Sequence, residues 1–423
     1  MTAALALVPM ALLAIGTPVF LALLAGVVLA LMFFVPMQPL VLHQTLFGGL
    51  DNYALLAVPF FIFAGELLST SGIAARLVRL VLALTGRVPG SLGVATVGAS
   101  AMMGAISGSS AAAVAALGKT LFPKLTAGGY GRERAGGLIA ASGAIDIVIP
   151  PSIAMILYGL AAEQSISRLF LAGILPGLLI AALMSVLIVY IAVRQGIPRS
   201  GGFDFREIRD AALGAFWALL MPVVVLGGIY QGWFSPTEAG GFACFYAIIV
   251  ARFIYRSMSF ADIVRAGANA AMLSAQILII VAAAGALTWL LTAQGVPQAL
   301  VAWIQALEMD QFTFLLCVNA VLLLIGCVLD PTSAILVLAP LLVPIAVSVG
   351  VDPIHLGVIM TVNLAIGMFT PPFGLNIFVA QSVTGLSAHE LYRGVLPFVG
   401  VQIIALLIIT YMPGLSLTLG AAN

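Results

Sequence analysis

Two Pro-Pro pairs, Pro150-Pro151 and Pro371-Pro372, stand inside long apolar stretches of this chain. Proline has no N–H and its ring clashes with the preceding turn, so a helix that reaches such a pair breaks. The carbonyls of residues 146–149 and 367–370 are then expected to lose their helical partners. Carbonyls freed at membrane depth are tolerated only inside protein or against water, and oxygen donors of this kind suit a hard cation. Two polar clusters interrupt other apolar stretches: Ser107-Gly108-Ser109-Ser110 and Asp330-Pro331-Thr332-Ser333. With Ser107, Ser109 and Ser110 facing the first break, and Asp330, Thr332 and Ser333 facing the second, the pattern predicts two related cation sites. Na⁺ fits better than a transition metal, because no His or Cys gathers there. The competing reading of each pair is a proline kink whose carbonyls are satisfied by nearby Ser and Thr.

Other polar residues in apolar surroundings complete the set. Asp146 lies four residues before Pro150 and is read as a cation ligand, a proton acceptor or a structural hydrogen-bond acceptor. A carboxylate at a helix centre costs about 2.5–3.5 kcal/mol on membrane-insertion scales. Asp330 is expected to cap the returning arm of its hairpin and to contribute to cation binding. Glu66 and Glu238 are read as caps or interhelical partners. Ser110, Thr332, Asn363 and Asn376, with Thr370, are the side chains expected to meet a polar substrate; the alternative for Asn363, Asn376 and Thr370 is hydrogen bonding between helices. His43, His355 and His389 are scattered and form no metal set. Cys244, Cys317 and Cys327 read as small buried residues. There is no Walker A loop and no credible Ser-His-Asp arrangement, so neither ATP hydrolysis nor another enzyme activity is expected.

These residues need a membrane fold to position them. The chain is 63% hydrophobic and 7% charged, against roughly 25% charged in soluble domains, too few to clothe a soluble surface. Residues 3–34 and 266–293 carry no charge and residues 138–160 carry one; about 20 such residues span a bilayer as a helix. The net charge of +1 suggests no nucleic-acid partner. The first basic residue is Arg76, so the opening apolar stretch lacks the positive region of a signal peptide and is read as a retained span. Nine full spans are expected, at 5–34, 54–75, 136–162, 169–193, 212–231, 235–255, 266–293, 354–383 and 394–412.

Residues 91–127 and 312–349 remain, each broken centrally by a polar cluster. Basic groups flank the first on both sides (Arg76, Arg79 and Arg87; Lys119, Lys124, Arg132 and Arg134). Glu308, Asp310 and Asp352 flank the second. Because cytoplasmic loops are enriched in Lys and Arg, these read as hairpins entering from opposite sides. Two tight full spans would leave the flanking charges unchanged and stay open as an alternative. Residues 73–84 and 296–307 have apolar residues at helical spacing and read as interfacial arms.

A shift of 221 residues brings Pro123 onto Pro344, Gly136 onto Gly357, Pro150-Pro151 onto Pro371-Pro372, Gly173 onto Gly394 and Leu175-Pro176 onto Leu396-Pro397. The chain thus divides into an N-terminal scaffold span (1–53), a first repeat (54–193), central scaffold spans (194–265), a second repeat (266–412) and a tail (413–423). An odd number of crossings separates the copies, so their topologies are opposite. Inverted repeats with interrupted helices point to a secondary transporter with its site between the copies.

The motifs FFIFAGEL (60–67), SGSSAA (107–112), IPPS (149–152), GWFSPTEAG (232–240) and GMFTPPFG (367–374), together with residues 330–344, occur in order along nearly the whole chain. In these the chain resembles the large membrane subunit of tripartite ATP-independent periplasmic (TRAP) transporters. The resemblance implies an all-α integral membrane fold of the elevator type with two re-entrant hairpins, in a bacterial inner membrane. It implies Na⁺ coupling, import of small organic acids, a small four-helix membrane subunit and a periplasmic substrate-binding protein. The cation ligands it implies are groups at or near Ser107, Ser109, Asp146, Ile149 and Pro151, and in the second copy Gly326, Asp330, Gly367 and Thr370. The family commonly has Gly where this chain has Asp146. The alternative function is a stand-alone ion-coupled carboxylate or anion transporter without a binding protein.

Overall fold

The structure, a computed structural model, describes residues 8–13, 15–35, 39–199, 201 and 204–420, and all regular secondary structure among them is helical. In chain order the helices are α1 (Val19–Phe33), α2 (Pro39–Gly48), α3 (Ala57–Thr70), α4 (Ile73–Thr85), α5 (Ser91–Ser107), α6 (Ser110–Ala127), α7 (Arg132–Val148), α8 (Ile153–Ala161), α9 (Ile166–Gln195), α10 (Phe205–Tyr230), α11 (Pro236–Ile249), α12 (Phe260–Ala293), α13 (Val296–Ala306), α14 (Gln311–Gly326), α15 (Pro331–Ser348), α16 (Pro353–Gly367), α17 (Leu375–Thr384), α18 (Ala388–Tyr411) and α19 (Gly414–Gly420). The 221-residue register holds at helix boundaries: α6 shifts onto α15 end for end, and the start of α7 onto the start of α16.

Seven described helices are long and apolar enough to cross a membrane, and the α7–α8 pair, bent by 45°, makes an eighth. Most expected spans appear with extended ends. α10 begins at Phe205 rather than 212, because Asp204 accepts the Arg206 N–H. α12 begins at Phe260 rather than 266, because Ser259 and Asp262 form a reciprocal capping box. Hydropathy marks the lipid-facing stretch, whereas the cap marks the end of the helix. The expected span 5–34 is corrected. Part of it lies outside the described residues, and the rest is a helical segment at 8–13 and α1, parted by a turn at Gly16 (φ +83°) and Pro18. Neither residue continues a helix there. The expected span 354–383 is broken at its Pro-Pro pair, as expected, into α16 and α17, parted by residues 368–374. Helix α2 had no counterpart among the expected spans.

Both hairpins are present. Their arms have 16–18 residues, roughly 24–27 Å at 1.5 Å per residue, short of an apolar core about 30 Å thick. α15 alone of these arms is long and apolar enough to cross a membrane, so length does not separate hairpin from crossing there. The position of the tips does. Gly108 packs on the Pro151 carbonyl, and Gly326 packs on Gly367. Each tip therefore stops at a helix break in the middle of an apolar element, not at a membrane surface. The two segments read as interfacial arms are the helices α4 and α13. Arg79 pairs bidentately with Glu207 of α10 (2.8 and 3.0 Å), and Arg76 lies 4.0 Å from the centre of the Tyr255 ring. Trp303 of α13 is exposed.

The broken helices form the centre of the molecule. α7 is buried continuously from Ala135 to Val148, and α16 from Ile354 to Gly367. α7 packs on α5, α6, α16, α17 and α18. Small residues allow the closest of these contacts: Gly137 meets the backbone of Gly394, and Gly143 meets Val114 and Ser110. A second group, with α3 packed on α11 and α12 and α12 packed on α1, α2 and α15, flanks this centre.

Candidate ion and anion site

A cavity with about 180 Å³ accessible to water-sized molecules lies where the breaks and tips meet. The first tip contributes Ser107–Ala112 and the second Asp330–Thr332. Ile147, Ile153, Met368 and Leu375 come from the edges of the two breaks. Gly65 and Glu66 of α3, and Leu273 and Ile277 of α12, close the other side. A Cβ on Gly65 would come 2.9 Å from the Ser107 Cα, so glycine there allows the first tip to reach α3.

Four helices start at this cavity. α6 begins at Ser110, α8 at Ile153, α15 at Pro331 and α17 at Leu375, and all four residues line it. Ser152 caps α8 and Asp330 caps α15, whereas the N-caps of α6 and α17 make no side-chain cap bond. Helix starts present unpaired N–H groups and the positive end of the dipole, a setting that favours an anion.

The first break leaves carbonyls free, as expected. Pro150 and Pro151 have no N–H to give the carbonyls of Asp146 and Ile147, and no other hydrogen bond reaches these two among the described residues. The second break differs from expectation. There the Gly367 carbonyl accepts the Thr370 N–H (3.1 Å), and the Met368 carbonyl accepts the Asn376 N–H (2.8 Å). The seven residues between α16 and α17 give the chain room to turn back and satisfy itself. The four between α7 and α8 do not. The Gly374 N–H also donates to the Cys327 carbonyl (3.3 Å), tying the second hairpin to its break. Both Pro-Pro peptide bonds are cis.

Of the expected site residues, Ser107, Ser109, Ser110, Asp330 and Thr332 line the cavity. Pro151 lies just behind the first tip, against Gly108. Ile149, Gly326, Gly367 and Thr370 belong to the breaks and the hairpin ends without lining the cavity. The Thr370 hydroxyl donates to the Ile366 carbonyl (2.7 Å). Asp330 behaves as a cap: it receives the Ser333 N–H (3.1 Å) and the hydroxyls of Ser333 and Thr332.

Two residues expected to meet substrate, Asn376 and Asn363, do not line this cavity. Asn376 is fully buried and committed to its neighbours. Its Nδ2 donates to Ser110 Oγ (2.7 Å) and to the Ala140 carbonyl (3.1 Å), and its Oδ1 lies 2.9 Å from Ser110 Oγ. Asn363 is equally buried and donates to Asn319 Oδ1 (2.6 Å), and the Asn319 Nδ2 in turn donates to Thr410 Oγ1 (3.0 Å). Both bond between helices, and Asn376 joins the two repeats. The Asp146 side chain faces Ser100 of α5 and does not line this cavity.

Glu66 is the cavity residue whose position the sequence did not disclose. It accepts from Asn269 Nδ2 of α12 (3.1 Å), the interhelical partnership expected of it, and also faces the cavity. Its place in an apolar run was the available signal. Glu238 closes a capping box with Ser235.

Inverted-repeat hairpins, paired helix breaks and a cavity between them, in an all-helical membrane chain, define a multi-pass secondary-transporter fold. Two solved structures share it at low sequence identity. Neisseria gonorrhoeae MtrF, described among antimetabolite efflux pumps, has a TM-score of 0.61 at 14% identity, over 88% of this chain and 83% of its own. The Alcanivorax borkumensis YdaH transporter has a TM-score of 0.62 at 16% identity, over 90% and 89%. The family model of the tripartite ATP-independent periplasmic transporter DctM component matches residues 6–415, and the chain belongs to this family. The C4-dicarboxylate TRAP transporter large permease protein DctM of Pseudomonas aeruginosa is 39% identical over 391 residues, 92% of each chain. The 2,3-diketo-L-gulonate TRAP transporter large permease protein YiaN of Escherichia coli is 38% identical over 95% of each. The isethionate TRAP transporter permease protein DctMQ of Oleidesulfovibrio alaskensis is 38% identical, and this chain spans 59% of its length. The chain is thus a large permease of the inner membrane and not an enzyme.

Proposed function

We propose that this permease imports small organic acids, carboxylates of the C4-dicarboxylate or sugar-acid type, together with Na⁺. The observation that carries the reading is the convergence of four helix starts on one cavity beside a break with free carbonyls. The helix starts offer N–H donors to the substrate carboxylate, and α6 offers them uncapped. Carbonyls and hydroxyls at Ser107, Ser109, Asp146, Ile149 and Pro151 would hold one Na⁺. Gly326, Asp330, Gly367 and Thr370 are the corresponding set in the second copy. The fit is better in the first copy, where the break has unpaired carbonyls, than in the second, where hydrogen bonds already engage Gly367 and Asp330. Each net positive charge moved inward gains about 2.3 kcal/mol per 100 mV.

Transport proceeds by an elevator movement in which the hairpins and broken helices carry the cavity past α3 and α12. α4 and α13, held at the interface, brace the moving part. A small four-helix membrane subunit and a periplasmic binding protein complete the system, and the named substrates of the relatives support the organic-acid class.

Uptake into proteoliposomes, with the two partner proteins added, tests this reading. Uptake is expected to require an inward Na⁺ gradient, and uptake indifferent to Na⁺ removes the coupling. Pro150→Ala restores an N–H at the first break and is expected to weaken Na⁺ dependence; an unchanged dependence counts against the first site.

A further inference from the structure

A second cavity, with about 390 Å³ accessible to water-sized molecules, lies between α4, the far end of α6 and the start of α10. An isolated water needs roughly 10–15 Å³ on such a measure, so the space takes something larger. Its wall carries three charges, on Arg79 of α4, Lys124 of α6 and Glu207 of α10. Val78 and Leu82 of α4 make an apolar side. One end is closed where the Gly201 N–H donates to the Gly86 carbonyl (3.3 Å).

The three charges sum to +1. Arg79 gives its Nε and Nη2 to Glu207 (2.8 and 3.0 Å), which fixes the guanidinium. Its Nη1, with two N–H groups, has no such partner among the described residues. Lys124 takes part in no ion pair among them. The wall therefore presents two sets of charged N–H donors to one space. A fixed guanidinium beside an ammonium is a donor set that suits phosphate oxygens.

The second copy of the repeat supplies a comparison. There α13 and α15 border a cavity of similar size, about 370 Å³. Val301, Ala302 and Gln305 of α13 line it where Val78, Arg79 and Leu82 of α4 line the first, at a constant offset of 223 residues. In the 221-residue register Lys124 shifts onto Ile345. No ionisable residue is among those lining this second crevice. The crevice between arm and hairpin is thus built twice, and only one copy is cationic. That copy lies on the side where Arg76, Arg79, Arg87, Lys119 and Lys124 gather, the cytoplasmic side by the bias of basic residues.

We propose that the crevice between α4, α6 and α10 binds the headgroup of an anionic phospholipid of the cytoplasmic leaflet. Arg79 Nη1 and Lys124 Nζ hold the phosphodiester oxygens, whose single negative charge matches the net charge of the wall. Leu82 and the exposed Leu84 of α4 meet the start of the acyl chains. A zwitterionic lipid would bring an amine to the same two cations, which repel it. Basic pockets between membrane helices on the cytoplasmic side suit anionic headgroups. The bound headgroup ties the end of the first hairpin to α4 and α10. The assignment is independent of the transported solute and of its coupling ion.

Native mass spectrometry of the full-length chain tests it, after purification in detergent and incubation with phosphatidylglycerol or phosphatidylcholine of equal chain length. The wild type is expected to retain phosphatidylglycerol in preference. Lys124 is exposed, so Lys124→Ala leaves the packing intact. It is expected to lower phosphatidylglycerol retention about fivefold and to leave phosphatidylcholine unchanged. Lys119→Ala removes an exposed cation of the same helix outside the crevice and is expected to change neither. Inorganic phosphate at the concentration of the lipid is expected not to displace it. Equal retention of the two lipids by the wild type overturns the proposal, as does a Lys124→Ala chain that keeps the wild-type preference. A loss in Lys119→Ala as large as in Lys124→Ala shows diffuse attraction and also refutes it. Displacement by inorganic phosphate assigns the site to the free ion, and the headgroup proposal then fails.

Discussion

Replacing Asn376 by Ala separates a structural role from a substrate-binding one. The side chain contributes contacts at 2.7 and 2.9 Å with Ser110 and a bond of 3.1 Å to the Ala140 carbonyl, all without exposure to solvent. Each net hydrogen bond contributes about 1 kcal/mol, and a buried group left without a partner costs about 1–3 kcal/mol. Ser110 Oγ, itself buried, is the group left behind. The expected loss is therefore roughly 2–4 kcal/mol of stability. Ser110→Ala leaves Asn376 bonded to Ala140 and is expected to cost about 1–2 kcal/mol. In the double variant the two losses should overlap by about 1–2 kcal/mol, because both singles remove one shared interaction. Denaturant unfolding in detergent measures all three, and uptake by the folded fraction gives KM. KM should stay within about twofold of wild type, because the side chain faces Ser110 and Ala140 rather than the cavity. Unchanged stability with a KM raised tenfold or more, about 1.4 kcal/mol of lost binding, would refute the reasoning and return Asn376 to the substrate.

Gly137→Ala puts a methyl group into the backbone of Gly394 where α7 crosses α18. It is expected to cost about 1–3 kcal/mol or more, read as a fall in folded yield in detergent; a wild-type yield would contradict the close crossing. Glu66→Gln keeps an oxygen for Asn269 and should change stability by no more than about 0.5 kcal/mol. Because it removes a negative charge from the cavity wall, it should lower the half-saturating concentration of a carboxylate substrate several-fold, and a rise would contradict the anion's place beside it. The Asp310 carboxylate is held below its ordinary value by the Thr313 hydroxyl and N–H at the start of α14. Its contribution is present above the ordinary carboxylate pKa and is lost as pH falls through the lowered, folded-state one. Asp310→Asn should flatten stability against pH in that acid window, and an unchanged acid slope would show that the cap carries no weight.

The amino-acid sequence determined the membrane class, the hairpins, the lateral arms and the 221-residue repeat. Each is written in local terms: apolar runs of a given length, proline pairs that cannot donate, and polar clusters that stop a helix. Those constraints act within a few residues of the chain, so they are legible without the fold. Where they misled, a turn inside the apolar window (at 5–34) or a cap a few residues outside it (at the start of α12) set the boundary. The tertiary structure decided which polar side chains face the cavity and which face each other. Asn376 and Ser110 are 266 residues apart, and Asp146 and Ser100 are 46 apart. Nothing local specifies that these partners meet, because a buried polar atom takes whichever donor or acceptor packing brings to it. The same holds for the asymmetry of the two breaks. The proline pairs are alike in sequence, but only the second has neighbouring N–H groups, those of Thr370 and Asn376, folded back onto its carbonyls.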